Sequence, residues 1–281
     1  MGNDLRGQDD HEHDHPEGLR ADLPRLIGRR AMLAGIVGGG AAFALMATRG
    51  GAQAVTGAGA DGSVCVSQPA EMAGPFPADG TNARAGQVVN ILTERGVIRE
   101  DIRNSIGGLE PVAAGVPMRL DLRLVDVGRG CAPLAGMAIY VWQCDAPGVY
   151  SIYEARDRNY LRGVALSDGK GRVRMVTVVP GCYPGRWPHL HFEVFASAEA
   201  AVNGDAALLT GQLALPEDVC RDVYSGDSAY GNSAGVLSQL QLSRDRIFRN
   251  GTPEQKAAQM LRMTGDLAAG YTASTVVGLV V

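Results

Sequence analysis

The feature that most constrains this chain is a strict two-residue alternation. Along Met118-Arg119-Leu120-Asp121-Leu122-Arg123-Leu124-Val125-Asp126, apolar and polar side chains take turns, the period of a strand with one buried face. Residues 128–131 follow as a turn. Residues 137–144 form a second apolar strand that runs into the turn Asp145-Ala146-Pro147-Gly148. Asp168-Gly169-Lys170-Gly171 signals a hairpin; it precedes a β-branched stretch, residues 172–179, closed by Pro180-Gly181. Residues 189–195 and 272–281 complete the strand set. Short strands bounded by turns predict a mainly β fold, an antiparallel β-sandwich core with short helices and long loops.

Composition agrees. Glycine and proline make up 52 of 281 residues and no repeat period accompanies them, which favours many turns over a helical bundle. Residues 65–110 show few strand patterns and suggest a short helix near 97–105. Residues 236–263 lean helical or loop, with 256–263 the best helical stretch. No linker divides residues 65–281, so one domain is expected.

The start of the chain has a different character. Arg29-Arg30 precede an apolar Gly/Ala-rich run, residues 31–47, and Ala52-Gln53-Ala54 follows. Charged, apolar and small-residue parts in that order make a secretory signal, and the paired arginines point to the twin-arginine route. The run is shorter than the ~20 residues a spanning helix needs. The expected organisation is therefore a twin-arginine signal at 1–54, a flexible Gly/Ala leader at 55–64 and the domain at 65–281. The product is periplasmic or extracellular, with no stable membrane span after cleavage. His11, His13 and His15 lie before the signal in an acidic stretch that reads as unstructured.

Net charge is −4, and beyond residue 54 the chain carries 20 Lys/Arg against 23 Asp/Glu. The arginines are dispersed along the sequence and read as solvated surface; with no basic stripe, nucleic acid is set aside as a partner.

Beyond residue 54 the histidines are His189 and His191 alone. On a strand, residues i and i+2 share a face, so His-Leu-His presents two imidazoles side by side, able to ligate one metal. Tyr183 lies in the constrained loop leading into them, and Tyr150 follows the turn after the second apolar strand. Phenolate is a hard anionic oxygen and imidazole suits iron. Five cysteines in an exported chain permit disulfides and leave one unpaired. Cys131 with Cys220 is one pairing; Cys144 and Cys182 read either as a disulfide bracing the two tyrosine loops or, in preference, as buried free thiols.

These residues fall into a spaced pattern. Trp142-Gln143-Cys144-Asp145-Ala146-Pro147-Gly148-Val149-Tyr150, Leu161-Arg162-Gly163, Asp168-Gly169, Pro180-Gly181-Cys182-Tyr183-Pro184 and Arg186-Trp187-Pro188-His189-Leu190-His191, with Gly74-Pro75-Phe76-Pro77 upstream, resemble the intradiol ring-cleavage dioxygenases. That group includes the protocatechuate 3,4- and catechol 1,2-dioxygenases. The resemblance implies one Fe(III) per chain held by Tyr150, Tyr183, His189, His191 and a hydroxide, with Tyr150 and His189 equatorial and Tyr183 and His191 axial. It implies a catechol-type substrate cleaved with O2 to a cis,cis-muconate-type diacid. Tyr183 is then the phenolate displaced by substrate, and Arg186 stabilises negative charge. Tyr183 and Arg186 are only three residues apart here, where the well-known ring-cleaving enzymes carry a longer insert, so the pocket is expected to be more open. Two other readings compete: an exported β-sandwich binding module of the same fold without turnover, and a copper or zinc enzyme using only the two histidines.

Overall fold

The computed structural model describes residues 54–60 and 62–281. The signal expected at 1–54 and His11, His13 and His15 lie outside the described residues, apart from Ala54. Among the described residues no helix is long and apolar enough to cross a membrane.

The strands are β1 (Thr56–Ala58), β2 (Val64–Val66), β3 (Asp79–Arg84), β4 (Gln87–Asn90), β5 (Pro117–Asp126), β6 (Ala132–Pro133), β7 (Ala138–Trp142), β8 (Arg162–Leu166), β9 (Arg172–Val178), β10 (His189–Phe195), β11 (Leu209–Ala214), β12 (Arg262–Asp266) and β13 (Gly270–Leu279). The helices are α1 (Ala198–Asn203), α2 (Glu217–Gly226), α3 (Ser233–Leu237) and α4 (Pro253–Gln259). One sheet runs β11-β10-β7-β8. The other runs β12-β13-β5-β6, with β9 also on β5.

The alternation in β5 decides where the core lies. Met118, Leu120, Leu122 and Leu124 are at most 1% exposed and pack with Ile139 and Val141 of β7 and Leu190, Phe192 and Val194 of β10. The two sheets therefore close on each other through β5 and the β7–β10 pair, a sandwich as expected. Because alternate residues of a strand face opposite ways, β10 must turn His189, His191 and Glu193 away from that core. They enter a second apolar cluster with Tyr140, Trp142, Tyr150, Ile91 and Leu92. This outer face of the four-stranded sheet, roofed by loops, is where the polar chemistry gathers.

Five expectations are revised. The C-terminal strand β13 pairs with β5 in parallel, Tyr271 opposite Met118 through Leu279 opposite Asp126, so the larger sheet is mixed. Residues 97–105 are extended rather than helical, with isolated bridges from Ile98 to Val164 and from Asp101 to Val176. Their main chain fills hydrogen bonds left open at the edges of β8 and β9, which outweighs a local helical preference. Helix α4 ends at Gln259 and the chain turns into β12. Within the leader expected at 55–64, β1 pairs with β2, and Cys65 forms a disulfide with Cys131. The expected pairing of Cys131 with Cys220 is therefore not formed: Cys220 is free and buried in α2, and Cys144 and Cys182 are free and buried near the tyrosine loops.

Candidate metal centre

The centre is built from two strands and two loops. Strands β10 and β7 are antiparallel neighbours with His191 opposite Trp142, and the indole stacks on the imidazole at 4.8 Å with 10° between planes. Tyr140 stacks beneath Trp142 at 5.0 Å. After Trp142 the chain leaves the sheet through a tight turn. Asp145 Oδ1 accepts the N–H of Val149 at 2.8 Å, and Gly148 takes φ +90°, a left-handed conformation that suits glycine. The turn delivers Tyr150, 1% exposed.

The loop carrying Tyr183 leans directly on that turn. Gly181 N–H donates to Asp145 O at 3.0 Å, and a β-carbon on Gly181 would come within 2.0 Å of Ala146 O. Ser233 fastens both loops: its hydroxyl donates to Ala146 O at 3.2 Å and accepts from Cys182 N–H at 3.4 Å. The two tyrosines are thus placed by backbone meeting backbone.

All four sequence-predicted donors converge. Tyr150 Oη lies 3.3 Å from Tyr183 Oη, 3.5 Å from His189 Nε2 and 3.1 Å from His191 Nε2. Tyr183 Oη is 3.4 Å from His189 Nε2, and the two imidazole Nε2 atoms are 2.9 Å apart. His189 Nδ1 donates to Trp187 O at 2.5 Å, which fixes the tautomer and leaves Nε2 as a bare lone pair aimed at the cluster. His191 Nδ1 is buried without a partner.

Burial sets the protonation states. It raises Tyr150 well above the usual phenol value and takes Tyr183 up to about 12. Burial, with the Arg186 charge adding to it, drops His189 to about 3. Burial and the neighbouring His189 hold His191 well below the ordinary imidazole value. The protein alone therefore presents neutral phenols and neutral imidazoles, with more lone pairs than protons in one buried spot. A cation there satisfies the lone pairs and ionises the phenols. Among the described residues no group of three or more His, Cys, Asp or Glu is placed to hold a metal; this donor set depends on its phenolic oxygens.

Arg186 is buried at 7% exposure. Its Nε donates to Asp245 Oδ2 at 2.9 Å and an Nη to Gln212 Oε1 at 2.6 Å. Burial works against the Asp245 carboxylate, but the Trp187 N–H and the guanidinium outweigh it and keep its pKa below the usual range. Sequence reasoning found Arg186 but neither Asp245 nor Gln212, which lie 59 and 26 residues away. Position 212 could have been reached only through the pairing of His191 with Gln212 across β10 and β11. The Gly74-Pro75-Phe76-Pro77 segment covers the centre: Phe76 packs on Tyr150 at 4.9 Å, and Gly74 approaches His191 so closely that a β-carbon would sit 3.4 Å from its ring. Arg162, fully buried, anchors that segment by donating to Phe76 O and Pro77 O at 2.8 and 3.1 Å.

Residues 95–222 match the family model Dioxygenase_C, described as "Dioxygenase", a span that holds all four donors and Arg186. The protocatechuate 3,4-dioxygenase beta chain of Burkholderia cepacia is 36% identical over 90 residues, 26% of this chain and 38% of that relative's length. An intradiol ring-cleavage dioxygenase structure from Tetranychus urticae shares the fold, with a TM-score of 0.57 at 23% identity over 77% of this chain and 95% of that one. A second solved dioxygenase gives 0.56 at 22% identity over the same shares. Residues 95–222 are thus similar to the dioxygenase family model, and the chain shares its fold with solved dioxygenase structures.

Proposed function

We propose that this chain is a non-haem Fe(III) intradiol dioxygenase that opens a catechol-type ring with O2 between its two oxygenated carbons, giving a cis,cis-muconate-type diacid that retains both oxygen atoms. The observation that carries the proposal is the convergence of two phenolic oxygens and two imidazole nitrogens, with five of their six pairs at 2.9–3.5 Å. Tyr150, Tyr183, His189 and His191 would hold the iron, one per chain. Bound there, Fe(III) supplies Lewis acidity that draws electron density from a chelated catecholate.

The chain's own groups account for the rest. Tyr183 is the half-buried tyrosine of the pair and is the one free to leave and take a proton from a substrate hydroxyl at its Oη. Tyr150, packed under Phe76, stays in place. Arg186 is held at two donors by Asp245 and Gln212, so its permanent charge is oriented before substrate arrives. The 71–77 segment and the Trp142 ring keep water from the imidazoles. Five of the six donor pairs make close contacts, and the pair that makes none is Tyr183 with His191.

The test is metal analysis, visible absorption and oxygen uptake on one preparation. We expect about one iron per chain, the red-brown colour of tyrosinate–Fe(III), and O2 consumption with catechol, protocatechuate, hydroxyquinol or a halogenated catechol. Tyr183→Phe should shift the absorption and reduce turnover. A colourless, iron-replete protein overturns the ligand assignment. Export by the twin-arginine route is part of the same proposal; Arg29→Lys with Arg30→Lys should keep the chain in the cytoplasm.

A further inference from the structure

The solvent face of the larger sheet carries a concentration of charge that the linear sequence hides. Alternation in β5 sends Arg119, Asp121 and Arg123 outward, and in β9 it sends Arg172 and Arg174 outward. Register then assembles them. Arg123 stands directly opposite Arg172, and Arg174 opposite Asp121. Asp121 is opposite Ser274 of β13, which is opposite Arg262 of β12. With strands ~4.8 Å apart and same-face residues ~6.7 Å apart along a strand, five guanidiniums occupy a patch roughly 14 Å across. The surface is not flat. Adjoining depressions of about 470 and 350 Å³ share Arg172, and one of about 400 Å³ links Arg174 to Asp121.

Two observations separate this face from ordinary solvated surface. First, like charges directly opposite on a sheet are destabilising, yet none of these five guanidiniums is in an ion pair with a described carboxylate. Elsewhere Arg103, Arg158 and Arg221 each take a neighbouring Asp or Glu at 2.7, 2.8 and 2.5 Å. Second, the chain beyond residue 54 carries 20 cationic and 23 anionic groups. The three depressions are lined by these five arginines and Arg99, with Asp121, Glu100 and Asp168 among them; setting these aside leaves 14 against 20, so a face of net +3 sits on a remainder of net −6. Glu100 and Asp168 supply part of the counter-charge, and the rest of the excess is left for an external anion.

We propose that this face docks a carboxylated polysaccharide. The guanidinium is a planar fork matched to carboxylate and binds it through two parallel hydrogen bonds. The groups between the arginines are the hydroxyls of Ser274, Thr272 and Thr264, suited to a hydroxyl-rich chain. Other polyanions fit less well. No aromatic side chain is exposed among the arginines to stack a base, and the broad sheet offers no helix to enter a duplex groove. The exposed apolar side chains are split between two hollows, Val64 and Val276 in one and Ile98 and Leu166 in the other, and no exposed Trp or Phe joins them to seat in a bilayer. The face lies on the opposite sheet from the candidate metal centre, so docking leaves that centre open.

Affinity electrophoresis of the purified chain through gels containing polygalacturonate tests this. Retardation is expected at low salt, absent with dextran, and lost as salt rises. Arg123→Glu with Arg172→Glu should weaken retention by roughly tenfold or more, and the milder Arg123→Gln with Arg172→Gln should weaken it too, with unchanged melting temperature. Arg95→Glu with Arg156→Glu makes the same change in net charge elsewhere and should leave retention intact. Equal loss in this control, or no retardation of the parent chain, overturns the proposal. Tighter binding to duplex DNA than to polygalacturonate assigns the face to nucleic acid instead. A low-salt dimer that Arg123→Glu with Arg172→Glu dissolves assigns it to a second copy.

Discussion

Arg186 Nε donates to Asp245 Oδ2 at 2.9 Å, and the same oxygen takes the main-chain N–H of Trp187 at 2.8 Å. One carboxylate thus holds both the guanidinium beside the candidate metal and the segment that starts the histidine strand. Asp245→Asn keeps the shape but leaves the buried guanidinium without its counter-charge. Breaking a buried pair from one side costs about 3 kcal/mol. We expect a loss of stability of that order by urea titration and a fall in turnover of roughly tenfold or more, as an unanchored electrostatic group gives. Iron content should hardly change; loss of iron in step with activity would move Asp245's role from Arg186 to the metal ligands.

Metal loading should release protons. Tyr183 sits near 12 and Tyr150 is also raised, so both phenols are protonated at pH 7 in the metal-free protein. Both imidazoles are already bare, His189 being held down to about 3. Ionising the phenols frees one proton from each tyrosine and none from the histidines, so apparent iron affinity should rise with pH through the neutral range. Titration in weak buffer with a pH indicator measures it. Tyr183→Phe should halve the release, and affinity independent of pH would contradict phenolate ligation.

Glu71 gives a stability test outside the ligand set. Burial raises its pKa from 4.5 to about 7, against opposing hydrogen bonds from Gln259 and the Gln212 main chain. Its Oε1 accepts Gln259 Nε2 at 2.6 Å, while its Oε2 and Gln259 Oε1 are both buried without partners. A raised carboxyl favours folding while protonated in both states. That contribution is complete below about 4.5 and is lost as pH rises through about 7. Glu71→Gln should therefore leave stability unchanged at pH 4 and increase it at pH 8, by about 2 kcal/mol after allowing for the group's partial exposure. Melting curves at the two pH values decide; equal effects at both would contradict the assignment.

The disulfide gives a fourth test. Cys65–Cys131 closes a loop with a sequence separation of 66, for which chain entropy alone gives about 4 kcal/mol. Non-reducing mass spectrometry should find this one pair, with Cys144, Cys182 and Cys220 alkylated only after unfolding. Cys65→Ser should lower the melting temperature without altering the visible spectrum.

Local pattern and distant partners were legible to different degrees. The β5 alternation and the His189/His191 pair can be read directly, because a period of two needs only neighbouring residues. Tyr150 and Tyr183 were found through motif spacing, although the loop contact that unites them, Gly181 on Ala146, has no local signature. Residues 97–105 misled because Val97, Ile98 and Ile102 are spaced as on a helix, while the edges of β8 and β9 supplied better partners for the main chain. Cys220 looked available, but α2 buries it along with Val223 and Tyr224. The arginines looked dispersed because Arg123 and Arg172 meet only through sheet register, which no linear reading of charge contains.

The parallel pairing of β13 with β5 bears on how the molecule is made. Met118 and Tyr271 are paired across 153 residues, so during synthesis β5 emerges long before its neighbour on that side exists. Until residues 270–279 leave the ribosome, one edge of β5 carries free N–H and C=O groups beside an apolar core face, a template for pairing with other chains. Completion of the larger sheet consequently waits on a strand made long after β5. Truncation ahead of Gly270 should yield aggregates rather than a smaller soluble domain.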